Sequence, residues 1–219
     1  MLAAWIWKQE TVVLKGEAEM DALRADVAEG EVQACLERSS HVACSAGAEF
    51  GTMCGPIAGL LRELAGVVAS LEDEQYVRVQ PPSFPSAAGS HVRHVLDHVA
   101  AFVLAAEGRV GELSYDHRKR GTDVESSRSR ALEEVDRLCA ALLSIPDEAG
   151  RGSVQVCLMT TSDGPPVRTV STLAREAAFV VSHTVHHHAL LGALLGQLGV
   201  VLPPKFGYAP STIAHEAGR

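Results

Sequence analysis

The sequence predicts an all-α protein, an antiparallel four-helix bundle with a short hairpin or extended connection before its last helix. The first observation is that four long segments carry apolar residues at intervals of three and four, the period of an amphipathic helix. The second is that β-branched residues cluster on both sides of SDGPP (162–166), which predicts the hairpin. A chain of 219 residues suits one such domain with an extension.

The first two helices are predicted on either side of a proline-rich break. An apolar stripe runs through residues 57–71, and Pro56 suits the first turn of a helix. We therefore predict a first helix over about 55–77. The break is PPSFPSAAG (81–89), and a second apolar stripe after it predicts a helix over about 87–110.

The third and fourth helices are predicted from their ends. The third begins within the charged segment 111–130 and runs to about Leu143, because Ile145-Pro146 closes it. The fourth begins near Ser171, a suitable N-cap, and runs to about Leu198, where Gly199 ends it.

The chain is predicted to divide into residues 1–52 and 53–219. The first part is an N-terminal extension of uncertain structure, since residues 17–38 have only a loose helical period and residues 39–52 are small and polar. The second part is the bundle with a C-terminal extended tail, because prolines interrupt the residues that follow the last helix.

Composition argues against several classes of protein. The net charge is −8 and no tract of Lys and Arg stands out, so we expect no nucleic-acid partner. Residues 1–14 lack the basic start of a signal peptide and the length of a membrane span, so we expect no membrane association. Five widely spaced cysteines without a C-x-x-C pair indicate reduced thiols and a cytoplasmic location.

Four histidines in SHTVHHHALL (182–191) lie in the last predicted helix, between apolar flanks. His183 and His187 are one turn apart on one face, so both imidazoles can reach a single metal ion. His186 lies on the edge of that face, and His188 points away from it.

A second histidine group, GSHVRHVLDHVAAF (89–102), lies on the second predicted helix. His91, His94 and His98 fall within about 60° of one another at about 100° per residue. If the two helices face each other, one of these three completes a three-histidine site with His183 and His187. The alternative is a polar histidine network in the core of the bundle.

Ligands that are all imidazole suit zinc, iron, nickel or copper and disfavour magnesium and calcium. We predict a divalent transition metal, with zinc, iron and nickel as the candidates. Three protein ligands and one open position produce a Lewis acid that lowers the pKa of a bound water or thiol. Hydrolysis, thiol activation and redox chemistry all remain compatible with this spacing.

GSHVRHVLDHV (89–99) and REAAFVVSHTVHHHALL (175–191) resemble the DinB/YfiT-like metalloenzymes. The resemblance covers roughly residues 55–205. It implies a four-helix bundle with one ligand histidine on the second helix and an H-x-x-x-H pair on the last. Three histidines match these positions and are implied as the metal ligands, namely His94, His183 and His187.

The resemblance also suggests roles around the ligands. His98 is the alternative ligand on the second helix, whereas His91 is a supporting or rim group, as is His186. Glu176 either orients a ligand imidazole or forms an ion pair across the bundle.

Tyr115, Arg118 and Arg175 are candidate pocket residues. SYDHRKRGTDVESSRSRA (114–131) and PKFGYAPSTI (204–213) also look like segments of one DinB-like branch. The alternative for Arg118 is a solvated, salt-bridged helix start that includes Arg120 and Glu125.

The family includes thiol-dependent S-transferases and isomerases. The resemblance therefore implies a metal-dependent enzyme that activates a thiol or water against a small electrophilic substrate, by S-transfer or hydrolysis. The alternative is a non-catalytic metal-binding or stress-linked interaction bundle. The expected partners are a small-molecule substrate, a low-molecular-weight thiol and a second copy in a homodimer. No residue is assigned as catalytic.

Overall fold

The computed structural model describes residues 51–116 and 121–218, which belong to the unit Glu49–Arg219. The predicted extension therefore lies almost wholly outside the described residues. The helices are α1 (Gly51–Ser70), α2 (Asp73–Val77), α3 (Ala88–Ala106), α4 (Asp123–Ser126), α5 (Arg128–Ser144), α6 (Leu173–Gln197) and α7 (Pro210–Ala217). A 3-10 helix spans Asp147–Arg151, and the strands are β1 (Leu113–Ser114), β2 (Ser153–Leu158) and β3 (Val167–Thr172).

The four long helices α1, α3, α5 and α6 share one core. Helices α1 and α3 each pack against both α5 and α6. This pattern of neighbours is the one that a four-helix bundle requires, although the antiparallel bundle itself stays a prediction. The apolar stripes face inward, and each large buried side chain contributes on the order of 1.5–3 kcal/mol of transfer free energy. The largest of these include Ile57, Leu61, Leu64, Phe102, Leu138 and Leu194.

The first helix differs most from its prediction. It begins at Gly51 and ends at Ser70, and the residues predicted to continue it form the separate helix α2. The break is set by a capping box, because the backbone N–H of Glu72 donates to Oε1 of Gln75 at 2.8 Å and restarts the chain as a new helix.

The ends of the other long helices lie close to their predicted positions. Helix α5 ends at Ser144, directly before Ile145-Pro146. Helix α6 is capped by Thr172, whose hydroxyl accepts from the backbone N–H of Arg175 at 3.2 Å, instead of by Ser171. Gly199 follows α6 with a φ of +74°, which suits glycine.

A three-stranded mixed sheet corrects the all-α class. The predicted hairpin is confirmed, since β2 and β3 pair antiparallel with Val156 opposite Thr169. The sequence did not predict β1, which pairs parallel to β2 through Leu113 and Ser114. A strand of two residues is too short to show the alternation by which strands are recognised.

The tail also differs from its prediction, because its end is helical. Pro210 begins α7, the position at which a fixed φ favours a helix. Before it, Gly207 has a φ of +76° and lies so close to the backbone of Ala189 that a side chain would collide. The tail therefore packs closely on α6.

Helix α1 is long and apolar enough, over Met53–Ser70, to cross a membrane by length and composition alone. It places Ile57, Leu61 and Leu64 in the common core, however, and packs against α5 and α6.

A substitution of Gly89 tests how closely α3, the helix that carries His91, His94 and His98, packs against its neighbours. A Cβ there would overlap the carbonyl oxygen of Glu125 and lie 2.8 Å from Cε1 of Tyr76. We expect Gly89→Ala to lower the free energy of unfolding by about 1–3 kcal/mol, measured by chemical denaturation. Gly66, exposed on α1 with open space around it, supplies the control. Gly66→Ala should raise stability by about 0.5–1 kcal/mol, and equal losses in both variants would contradict the close packing at Gly89.

Candidate metal centre

Helices α3 and α6 pack together and bring their histidines into one interface. His94 of α3 lies at its centre, with its ring centroid 4.9 Å from that of His183 and 4.5 Å from that of His187. The two predicted histidine groups are thus neighbours in space, as expected if the two helices face each other.

Three of these histidines form the group best placed to hold a metal ion. Nitrogens of His94, His98 and His183 all lie within 4.8 Å of one another. The Nε2 atoms of His94 and His183 are 3.2 Å apart. Two nitrogens at about 2.0–2.1 Å from a tetrahedral ion would be about 3.3–3.4 Å apart, so this separation fits chelation. The group therefore fits a divalent transition metal by both its geometry and its imidazole chemistry.

His98 was the alternative ligand in the sequence prediction, and its surroundings suit that role. Its Nδ1–H donates to the backbone carbonyl of His94 at 3.0 Å. A neutral imidazole that donates through Nδ1 carries its lone pair on Nε2. Its ring is also buried and stacks on that of His183, with centroids 4.0 Å apart and planes at 15°.

His187, the third predicted ligand, lies outside this group of three. Its Nδ1 faces Nδ1 of His91 at 3.4 Å. Burial, followed by the neighbouring His183 and His91, lowers the pKa of His187 to about 3. The ring is therefore neutral at physiological pH, as a metal ligand must be. The ligand set His94, His183 and His187 stays a prediction, with His98 as its structural competitor.

A cavity of about 490 Å³ borders the histidine group. His98 and Phe179 contribute helical side chains to its wall, and β2 and β3 contribute the opposite side. The sequence did not assign the strand residues to a pocket, although the β-branched segment was the signal that a strand lay there. Those residues are Val156, Leu158, Thr169, Val170 and, just after β2, Met159.

Tyr115 and Arg175, two candidate pocket residues, both line this cavity. The Tyr115 ring stacks on His98, with centroids 5.0 Å apart and planes at 9°. Burial and the nearby Glu176 carboxylate raise the pKa of Tyr115 above its usual range, so its hydroxyl stays protonated. Arg118 lies outside the described residues.

Glu176 is buried beside the cavity, with 1% of its surface exposed. Its Oε2 accepts from the hydroxyl of Tyr115 at 3.0 Å. Its Oε1 accepts from the Ser171 hydroxyl at 2.6 Å and from Nη1 of Arg175 at 2.8 Å. The carboxylate thus orients Tyr115, whose ring touches His98. The ion pair of Glu176 is with the adjacent Arg175 on α6 and does not cross the bundle, so both of its predicted roles stay predictions.

His186 and His188 flank the site without joining the group of three. His186 is exposed, and its ring centroid lies 5.2 Å from that of His187. His188 is fully buried on another side of α6, where it stacks on Phe206 of the tail with centroids 4.7 Å apart. Neither ring nitrogen of His188 makes a hydrogen bond, and Nδ1 lies 3.5 Å from a carboxylate oxygen of Glu63.

Because His188 is buried, we expect the folded state to lose stability as the pH falls. Burial lowers its pKa from 6.5 to about 4, so its effect outweighs the attraction of the Glu63 carboxylate. As pH falls from about 6.5 to 4, the unfolded chain binds a proton first, and the folded state loses up to about 1.4 kcal/mol per pH unit from this group. We expect His188→Leu to flatten this dependence in chelator-treated protein, measured by denaturation at each pH. The exposed His215 supplies the control as His215→Leu, and an unchanged slope in His188→Leu would contradict the assignment.

The competing ligand sets differ only at His98 and His187. His94→Ala and His183→Ala should each abolish tight Zn²⁺ binding under either set. The nitrogen distances lead us to expect that His98→Ala releases the tightly bound ion and that His187→Ala retains it. Elemental analysis after dialysis measures the difference, and the reverse result would favour the set predicted from the sequence.

Comparisons with known proteins agree with this architecture. A DinB-like protein from Bacillus subtilis, YjoA, superposes with a TM-score of 0.52 at 16% identity, over 72% of this chain and 99% of that protein. This likeness shows the fold. FK506-binding protein 5 of Rhizopus delemar is 29% identical over 118 residues, 52% of this chain and 30% of that protein. The chain thus spans less than a third of the length of this relative.

The family comparison covers the segments that build the centre. Residues 58–191 match the family model described as the DinB superfamily. The match includes both histidine groups, the sheet and all but the end of α6. Since it spans more than half of the sequence, the chain belongs to the DinB superfamily.

Proposed function

We propose that the protein is a metal-dependent enzyme that activates a thiol or water against a small electrophilic substrate, giving S-transfer or hydrolysis. The observation that carries this proposal is the shared position of His98. Its ring belongs to the three-histidine group and also to the wall of the 490 Å³ cavity. A ligand set that borders a cavity offers a substrate direct access to the ion.

His94, His98 and His183, with His187 beside them, would hold zinc, iron or nickel. When bound, such an ion supplies Lewis acidity and lowers the pKa of a water or thiol. The imidazoles suit this role because they lie close to one another, with His98 and His187 buried and His94 and His183 half-buried. Removal of the ion by a chelator would therefore remove the activity.

The remaining cavity residues would bind and orient the substrate. Leu158, Met159 and Phe179 give the cavity an apolar wall against which an apolar part of the substrate can pack. The guanidinium of Arg175 is 66% exposed and can also attract an anionic group of the substrate. The Tyr115 hydroxyl, held by Glu176, supplies a fixed polar group beside His98.

A non-catalytic metal-binding or stress-linked interaction bundle is the second candidate. The observation that favours it is the number of imidazoles near one point. His94, His98 and His183 form one group, and the His187 ring lies 4.5 Å from both His94 and His183. Four protein ligands would close a tetrahedral coordination sphere and leave no position for substrate.

The proposal includes the expected partners and location. They are a small-molecule substrate, a low-molecular-weight thiol as co-substrate, a second copy in a homodimer, and the cytoplasm. A soft thiolate suits the metals that imidazole ligands select. Sedimentation at several protein concentrations would measure the oligomeric state.

The two candidate functions differ in whether the ion accepts an external ligand. We expect protein loaded with Co²⁺ to develop a sulfur-to-cobalt charge-transfer absorption when a small thiol such as cysteamine is added. Met159→Trp, which fills the cavity, should weaken thiol binding without loss of the ion. Val201→Trp is the control, because Val201 is 93% exposed and outside the cavity wall. A spectrum that thiol does not change would reject thiol activation at this ion and favour the closed, non-catalytic site.

A further inference from the structure

We propose that two copies of the protein associate through the outer edge of β3, so that their sheets join antiparallel across a two-fold axis. This edge would be the interface of the homodimer expected above. The interface rests on the proposed function in one respect, since the second strand would extend the wall of the proposed substrate cavity. Self-association is measured independently of metal binding, so that either can fail alone.

The outer edge of β3 is open for pairing. Within residues 51–116 and 121–218 the strands lie in the order β1-β2-β3, so one side of β3 has no neighbouring strand. The register with β2 runs without a bulge from Leu158 opposite Val167 to Ser153 opposite Thr172. The other edge of the sheet, β1, is only two residues long. A regular edge such as that of β3 presents a row of backbone donors and acceptors to another strand.

Apolar side chains are exposed along this edge. Every residue of β3 except Ser171 is exposed. Val170 is 72% exposed and Val167 is 45% exposed, and Leu158, opposite Val167, is 37% exposed. Alternation along a strand places Val167 and Val170 on opposite faces of the sheet. Apolar surface thus flanks the open edge on both faces, and a second strand would remove part of it from water.

Charge does not keep two copies of β3 apart. Arg168 is the charged residue of this strand, whose sequence is VRTVST. Its Nε donates to Oε2 of Glu112 at 2.6 Å, so its charge is compensated within each copy. Edge strands are commonly protected from pairing by free charges, by proline or by a bulge. Residues 167–172 have neither a proline nor a bulge, and their one charge is paired.

A register centred on Val170 suits the side chains of the strand. It sets Val170 opposite Val170 of the second copy, Thr169 opposite Ser171, and Arg168 opposite Thr172. Facing valines bury apolar surface, and hydroxyl side chains form favourable pairs across antiparallel strands. A register centred on Arg168 would instead place like charges directly opposite each other, which is destabilising.

Pairing at this edge would also enlarge the wall of the cavity. Thr169 and Val170 lie on the edge strand and also line the cavity of about 490 Å³. A strand paired with β3 lies about 4.7–4.9 Å from it. The second copy would therefore continue the wall beyond β3, and the two substrate cavities of the dimer would lie on either side of the two-fold axis.

The test is sedimentation velocity of the full-length protein at low salt and several concentrations. Wild-type protein should form dimers as the concentration rises. Val170→Lys and Val170→Glu should each weaken association by about tenfold or more, because like charges then face each other across the axis. An equimolar mixture of the two variants should recover the dimer, because opposite charges then meet.

Val201→Lys is the matched control and should associate as the wild type does. Val201 is 93% exposed and lies outside the sheet. Because Val170 is itself largely exposed in one copy, its variants should fold, and circular dichroism checks this.

The outcomes separate the interface from the proposed function. Wild-type protein that stays monomeric overturns the interface. Folded Val170 variants that dimerise as the wild type does also overturn it, as does a mixture of the two variants that stays monomeric. Co²⁺ absorption is measured on the same wild-type samples, and absence of a bound ion overturns the proposed function whatever the oligomeric state.

Discussion

The packing of α3 against α6 is the contact on which the rest of the site depends. It sets the rings of His94 and His183 nitrogen to nitrogen at 3.2 Å. Arg93 holds α3 in place, since its buried guanidinium donates to Asp97 and to Glu125, each at 2.7 Å. The Asp97 and Glu125 side chains keep 28% and 23% of their surface exposed, so solvent weakens both pairs although the guanidinium itself is buried. The orientation of the α3 histidines is therefore tied to a structural ion pair one residue from His94.

A continuous stack of aromatic rings connects the histidines of α3 and α6 to the sheet. His98 lies between His183 and Tyr115, nearly parallel to both. Tyr115 follows β1 directly and donates to Glu176, which also accepts from Ser171 on β3. Each polar group in this series has a defined partner, so burial does not leave it unsatisfied. A short series of contacts therefore links the edge of the sheet to the imidazoles.

The periodicity of the sequence predicted which residues share one face of a helix. It did not predict how two helices are placed relative to each other. The spacing of three and four correctly identified the histidine stripes on α3 and α6 and the apolar stripes of the core. It did not determine whether His98 or His187 joins His94 and His183, because that depends on the relative rotation and height of two helices. The close packing of the Phe206 segment on His188 was missed for the same reason, since it is a contact made by a returning tail. The hairpin was predicted because six-residue strands show their β-branched composition, whereas the two residues of β1 do not.

The helices and the sheet contribute different parts of the site. Helices fix the imidazoles, because a helix holds residues one turn apart on a rigid face. The cavity wall opposite them comes from β2 and β3, where Leu158, Val170 and neighbouring side chains are partly exposed. Substitutions of the exposed residues Leu158 and Val170 would change the shape of the cavity, whereas Val156 on β2 also belongs to the core. The three-histidine group is built by the helices alone, whereas the cavity beside it also requires the sheet, so the metal site and the proposed substrate site depend on different parts of the fold.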